Sequence, residues 1–149
     1  MTLTEKINAD MKDAMKAGDK VRLETLRSIR AGILEFEKSG AGRDMTPDDE
    51  IGVLNAAAKK RRDAIQMYTE NNRSEAAAKE EAELAIITEY LPAQLNAEEL
   101  KAAIAELIQS TGASSPSDFG KVMGAAMKSL KGKADGNLIQ AAVKELLNG

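Results

Sequence analysis

The stretch "EYLPAQLNAEEL", residues 89–100, decides how the chain is divided. Pro92 lacks an amide hydrogen and pushes the residue before it out of the helical region, so a helix arriving through Glu89 and Tyr90 must stop here. Four residues later Asn96 can take the N-cap position of a new helix, with Glu99 reaching back to complete a capping box. One helix ends and another begins within a dozen residues.

Working outward, the other two prolines read the same way. In "TPDDE" Thr46 can be an N-cap with Pro47 at the first helical position, and in "SPSD" Ser115 and Pro116 repeat the arrangement. Between these marks the apolar residues recur at spacings of three and four, which is the helical period. Leu3, Ile7, Met11 and Met15 form one stripe, opened by a capping box of Thr2 and Glu5 and closed by a turn at Gly18 and Asp19. Leu23, Leu26, Ile33 and Leu34 form a second that runs to about Lys38 and the loop "SGAGRD". Ile51, Leu54, Ala58, Ile65 and Tyr68 mark a long third helix broken by "ENNR". Ser74 is expected to cap a fourth, whose inner face is read as Ala78, Ala82, Ala85, Ile86 and Tyr90.

Beyond Asn96 the segments shorten. Leu100, Ile104, Leu107 and Ile108 lead to the stop "STGASS"; Phe119, Val122, Met123, Ala126, Met127 and Leu130 lead to "KGKADG". Asp135 is expected to cap the last helix, with Leu138, Ile139, Ala142, Val143, Leu146 and Leu147 facing inward. No alternating, strand-like pattern occurs. The expected fold is all-α: helical hairpins of four longer helices in residues 1–91, and a small three-helix bundle in residues 96–149.

Composition narrows the chemistry. The 149 residues contain neither Cys nor His, which removes thiolate nucleophiles, imidazole bases and the usual zinc ligands. No metal or cofactor is expected. The first residues, "MTLTEKINADMKDAM", show no apolar signal core, and no run approaches the roughly 18–20 apolar residues of a membrane span. With the absence of Cys this leads to an expected cytoplasmic location and no membrane partner. Net charge is −3. The acidity lies in the first part, because residues 96–149 carry six basic and six acidic side chains.

Against that background, residues 118–135 stand out. "DFGKVMGAAMKSLKGKAD" has no carboxylate between its terminal aspartates, but it does have Lys121, Lys128, Lys131 and Lys133. Lys121 and Lys128 are two turns apart and share a helix face, and the other two fall in the adjoining loop. Such a hairpin suits a nucleic-acid phosphate. On composition alone it suits a helix end better, where lysines complement the dipole, Gly132 supplies a turn and Asp135 caps the next helix. Gly120 and Gly124, four apart, are expected to allow close approach of a neighbouring helix.

Other charged groups invite structural readings. In "KKRRD", Lys59 to Asp63, four consecutive cations go round most of a helix. Arg61 falls near the apolar stripe and is expected to pair with a carboxylate of another helix, leaving Lys59 and Lys60 exposed. Arg22, Arg27 and Arg30 are explained equally by a groove or by ion pairs with Glu24, Glu35 or Glu89. The acidic pairs Asp48/Asp49 and Glu80/Glu81 sit where first turns and surfaces carry such residues. No nucleophile elbow or phosphate-binding glycine loop is present. The aromatic residues Phe36, Tyr68, Tyr90 and Phe119 lie on apolar stripes, so base stacking on exposed rings is not expected.

The run "EYLPAQLNAEEL" together with "DFGKVMGAAMKSLKGKADGNLIQAAVKELL" resembles the YqeY-like family, akin to the tail of one subunit of the glutamine-dependent aminoacyl-tRNA amidotransferase. "LTEKINADMKDAMKAGDKVRLETLRSIRAGI" and "KKRRDAIQMY" extend the resemblance to nearly the whole chain. It implies a helical module that engages tRNA, with the motif matched by Gly120, Lys121, Val122, Met123, Gly124, Lys131, Gly132, Lys133, Ala134, Asp135 and Gly136. The implied partners are tRNA, or an amidotransferase or tRNA synthetase subunit. Carbon-nitrogen ligase activity with glutamine as amide donor belongs to the wider family, but this chain has no amidase or ATP-using centre of its own. The expected function is therefore that of a non-catalytic accessory protein binding through Lys121, Lys128, Lys131 and Lys133. The alternatives are a protein-interaction adaptor and an assisting subunit in amide transfer.

Overall fold

The computed structural model describes residues 1–39 and 42–148. It is all-α, with no strand among the described residues. The helices are α1 (Leu3–Ala17), α2 (Lys20–Lys38), α3 (Pro47–Glu70), α4 (Ser74–Thr88), α5 (Ala97–Thr111), α6 (Phe119–Ser129) and α7 (Gly136–Asn148), with a 3-10 turn at Pro116–Asp118. The chain divides into two compact units, Met1–Leu91 and Pro92–Gly149.

Helix ends follow local chemistry. Thr2 and Glu5 close a capping box on α1, Thr46 and Asp49 on α3, and Asn96 and Glu99 on α5. Each satisfies two amide donors that a helix start leaves without partners. Gly18 and Gly112 end α1 and α5 in the left-handed conformation, with φ of 70° and 72°. Between Ser39 and Asp44, where a loop is expected, residues 40 and 41 lie outside the described residues.

In the first unit, α1 packs on α2, α3 on α4, and α2 on both α3 and α4. Ile7, Leu26, Ile29, Ile33, Leu54 and Ile87 are buried at its centre. Gly32 of α2 faces α3 closely: a Cβ there would lie 3.0 Å from the Val53 Cγ1 atom. Arg22 bridges to Glu89 with two hydrogen bonds of 2.9 and 3.2 Å, so for this arginine the ion pair is the alternative that the structure shows.

The fourth helix departs from expectation in two ways. Arg73, not Ser74, occupies its N-cap position, and Ser74 is already helical. Its buried residues are Ala77, Ile86 and Ile87, while Ala78, Ala82 and Ala85 face solvent. The cause lies in α3. Arg61 is only 7% exposed and continues the inward stripe of Leu54 and Ala58. Its Nε lies 3.8 Å from a Glu80 carboxylate oxygen and 3.9 Å from one of Glu83, and its Nη2 donates to Ser28 Oγ at 2.9 Å. Helix α4 is thus rotated to turn two carboxylates inward, which an apolar-only reading misses. Lys59 and Lys60 are exposed, as expected.

In the second unit α5, α6 and α7 pack against one another around Ile104, Val122, Ala126, Ile139 and Val143. Several residues expected to face inward are exposed instead: Met127 and Leu138 here, and Met15 and Leu34 in the first unit. Each lies on the flank of its stripe, about 100° round from a buried neighbour, at the edge of the face that its helix turns to the core. The segment 92–95 is part of the second unit. Leu95 packs on its core, and the Leu95 amide donates to the Lys133 carbonyl at 2.9 Å.

Candidate functional site

The basic hairpin is built from α6, the loop 130–135 and α7. Val122 and Ala126 of α6 are buried, which leaves Lys121 and Lys128 on the opposite, exposed side. The end of α6 is set by Leu130, whose amide donates to Ala126 and whose carbonyl accepts from Lys133 at 2.9 Å. Gly132 has φ of 76°, a conformation that glycine adopts without strain. Its buried carbonyl side is met by Gln94, whose Nε2 donates to the Gly132 carbonyl at 2.6 Å and to the Pro92 carbonyl at 2.8 Å.

The loop is therefore fastened along both of its central residues. Gln94 holds Gly132, Leu95 holds Lys133, and the Lys133 side chain leaves from a fixed backbone into solvent. Lys131 is half-buried. Asp135 stands at the start of α7, accepting from Ile139 through its carbonyl and from the Asn137 amide through its carboxylate at 3.3 Å. Gly136 opens that helix, and a Cβ there would lie 4.0 Å from the Met127 methyl carbon.

Lys128 and Lys133 form no ion pair among the described residues. Lys121 faces Asp118, whose carboxyl is held below the usual range chiefly by hydrogen bonds from the Ser114 and Ser115 amides, with Lys121 adding to the effect.

Gly120 and Gly124 do not serve the role expected of them. Nothing lies within 4 Å of a Cβ at either position, because both face solvent on the lysine side of α6. Glycine inside a helix costs backbone entropy without return here. Gly124→Ala is thus expected to stabilise the protein by about 0.5–1 kcal/mol, read as a higher urea midpoint. A lower midpoint would mean that the side chain meets something the structure does not place there.

All four aromatic rings are half-buried, and each has a cation above it: Lys6 over Tyr90, Arg43 over Phe36, Arg73 over Tyr68 and Lys144 over Phe119, at 5.1–5.9 Å. Each ring is thus partly covered by packing and carries a cation over one face. Beside the basic loop, however, a groove of about 660 Å³ runs between α5 and the end of α6, lined by Leu107, Glu106, Gln109, Ser129, Leu130 and Lys133 among others. Gln94, Leu95 and this α5 face are the parts of the site that composition and spacing did not indicate. Among the described residues no cluster of carboxylates is arranged to hold a metal, and no helix is long and apolar enough to cross a membrane.

Comparison with known proteins gives a consistent result. A family model described as "Yqey-like protein" matches residues 4–147. The chain is 33% identical over 117 residues to "Altered inheritance of mitochondria protein 41, mitochondrial" of Lachancea thermotolerans, covering 74% of this chain and 60% of that protein. It is 26% identical over 149 positions to the protein of the same name from Pyrenophora tritici-repentis, covering 95% and 79%. A third, from Vanderwaltozyma polyspora, is 32% identical over 85 residues, covering 57% of this chain and 46% of the relative. The match thus spans about half to four-fifths of these relatives' own lengths.

Proposed function

The chain belongs to the YqeY-like family, and from that premise we propose that it is a helical accessory protein whose C-terminal unit holds an RNA backbone, tRNA by the family resemblance. The observation that carries this reading is the stretch 119–134, which holds no carboxylate, with Lys121, Lys128 and Lys133 exposed and the loop backbone fastened by Gln94 and Leu95. Several cations on one short segment with no carboxylate among them suit a repeating anion, which releases a counterion as each phosphate is neutralised. The residues in that role are Lys121, Lys128, Lys131 and Lys133, with Gly132 shaping the loop. The proposed compartment is the cytoplasm, on the Cys-free composition; the relatives' names place those proteins in mitochondria.

The test is tRNA binding by the purified protein across a salt series. If all four lysines engage phosphates, log affinity falls with log salt at a slope of roughly −3 to −4. The variant Lys121→Ala/Lys128→Ala/Lys131→Ala/Lys133→Ala, with helicity checked by circular dichroism, is expected to lose that binding. Affinity that ignores salt, or that survives in the variant, overturns the reading.

A protein-interaction adaptor is the second reading, favoured by Met127 and Leu138 at 46% and 59% exposure on the same unit. Its partner would be an amidotransferase or tRNA synthetase subunit. Capture of such a subunit that is lost in Met127→Ser/Leu138→Ser, yet kept in the lysine variant, would favour it over RNA.

A further inference from the structure

The groove beside the basic loop divides by burial into an apolar base and a polar border. Leu130 is buried and Leu107 half-buried, while Glu106, Gln109, Ser129 and Lys133 are exposed. Its charged lining is one carboxylate and one ammonium, so the groove is neutral where the adjoining hairpin is positive. A run of phosphates gains nothing by entering it. A single phosphate beside Lys133, attached to a flat, largely apolar group with hydrogen donors on its edge, fits each part of the lining.

We infer that this groove takes one unpaired nucleotide of the RNA held on the lysine hairpin, with its phosphate at Lys133 and its base on Leu107 and Leu130, and with Glu106 accepting from an exocyclic amine of that base. The inference rests on the RNA reading above and deepens it. Paired bases cannot enter, because their faces are stacked and their edges occupied, so the RNA must present an unstacked residue. Apolar side chains can receive such a base where aromatic rings are absent or covered, and in this chain all four rings lie under cations. A carboxylate accepts from the amine of cytosine, whereas uracil presents a carbonyl at that position and is repelled. The Lys133 backbone is tied through its amide to Leu130 and through its carbonyl to Leu95, so its side chain starts from an anchored point on the wall of the groove.

The experiment measures binding of the full chain to fluorescein-labelled single-stranded pentamers of cytidylate and of uridylate, with a blunt RNA duplex and tRNA beside them, at one low salt concentration. The cytidylate pentamer is expected to bind about tenfold more tightly than uridylate, in line with the discrimination of one good base contact. Glu106→Gln should remove most of that difference, because the amide that replaces the carboxylate can donate to the uracil carbonyl as well as accept from the cytosine amine. Ser129→Phe, which fills the groove from an exposed position, should weaken both pentamers and spare the duplex. Equal binding of the two pentamers, or a preference that both variants keep, overturns the nucleotide site while the lysine hairpin stands, provided tRNA binding still depends on the four lysines. If the wild type binds neither tRNA nor any other RNA, the hairpin reading fails, and the groove falls with it.

Discussion

Arg61→Ala is expected to lower the stability of the N-terminal unit by about 3 kcal/mol, the scale for breaking a buried ion pair from one side. Arg61 is buried between α2, α3 and α4, and its charge is answered by Glu80 and Glu83 across 3.8–3.9 Å and by Ser28 through a hydrogen bond. Alanine removes the cation and leaves two partly buried carboxylates facing one another. The loss should depend on pH. Burial already raises the Glu83 carboxyl above its ordinary value, with Arg61 pulling the other way. A raised acid favours the folded state when protonated, so its contribution declines as pH rises through that range. Without Arg61 the rise is larger, and the variant should recover part of its deficit on acidification from pH 7 toward the carboxylate range. Urea unfolding at several pH values measures this; a deficit under 1 kcal/mol at neutral pH would show that solvent reaches the cluster. Arg61→Met combined with Glu80→Gln and Glu83→Leu should restore much of the loss, because it removes the buried charges together.

The second large effect belongs to the other core. Ile104→Ala removes a fully buried side chain from the centre of α5, α6 and α7, at an expected cost of about 3 kcal/mol. A unit of about 60 residues has a total stability of roughly 3–9 kcal/mol, so the variant approaches the limit of folding. Hydrogen exchange should show faster exchange throughout α5, α6 and α7, with the amides of α1–α4 little changed, since their core is a separate cluster. Loss of protection confined to one turn of α5 would mean that the cavity closes locally.

How much of the fold the sequence disclosed depends on the range of the forces involved. Caps at Thr2, Thr46 and Asn96 depend on residues three apart, and each stands where the residues place it. The face of α4 depends on Arg61, distant in sequence, and a charged residue inside an apolar stripe defeats a count of apolar positions. Gly120 and Gly124 have the spacing of a helix contact, but no neighbour comes within 4 Å of a Cβ at either, whereas Gly32, with no such spacing, meets Val53 at 3.0 Å. At the candidate site the lysines were visible as a cluster from their spacing alone. Gln94, which fastens their loop, was not, because a hydrogen bond across 38 residues leaves no periodic trace. The groove was hidden for a similar reason: Glu106 and Gln109 belong to α5, and only the bundle brings them beside Lys133.

The placement of the rings has a practical consequence for following either unit by light. There is no tryptophan, and both tyrosines, Tyr68 and Tyr90, belong to the first unit; the second carries only Phe119. Tyrosine emission will therefore report the unfolding of residues 1–91 and stay nearly silent on the rest, while far-ultraviolet dichroism records both. A denaturation curve whose two signals part company would read out the units one at a time, with no label added to either.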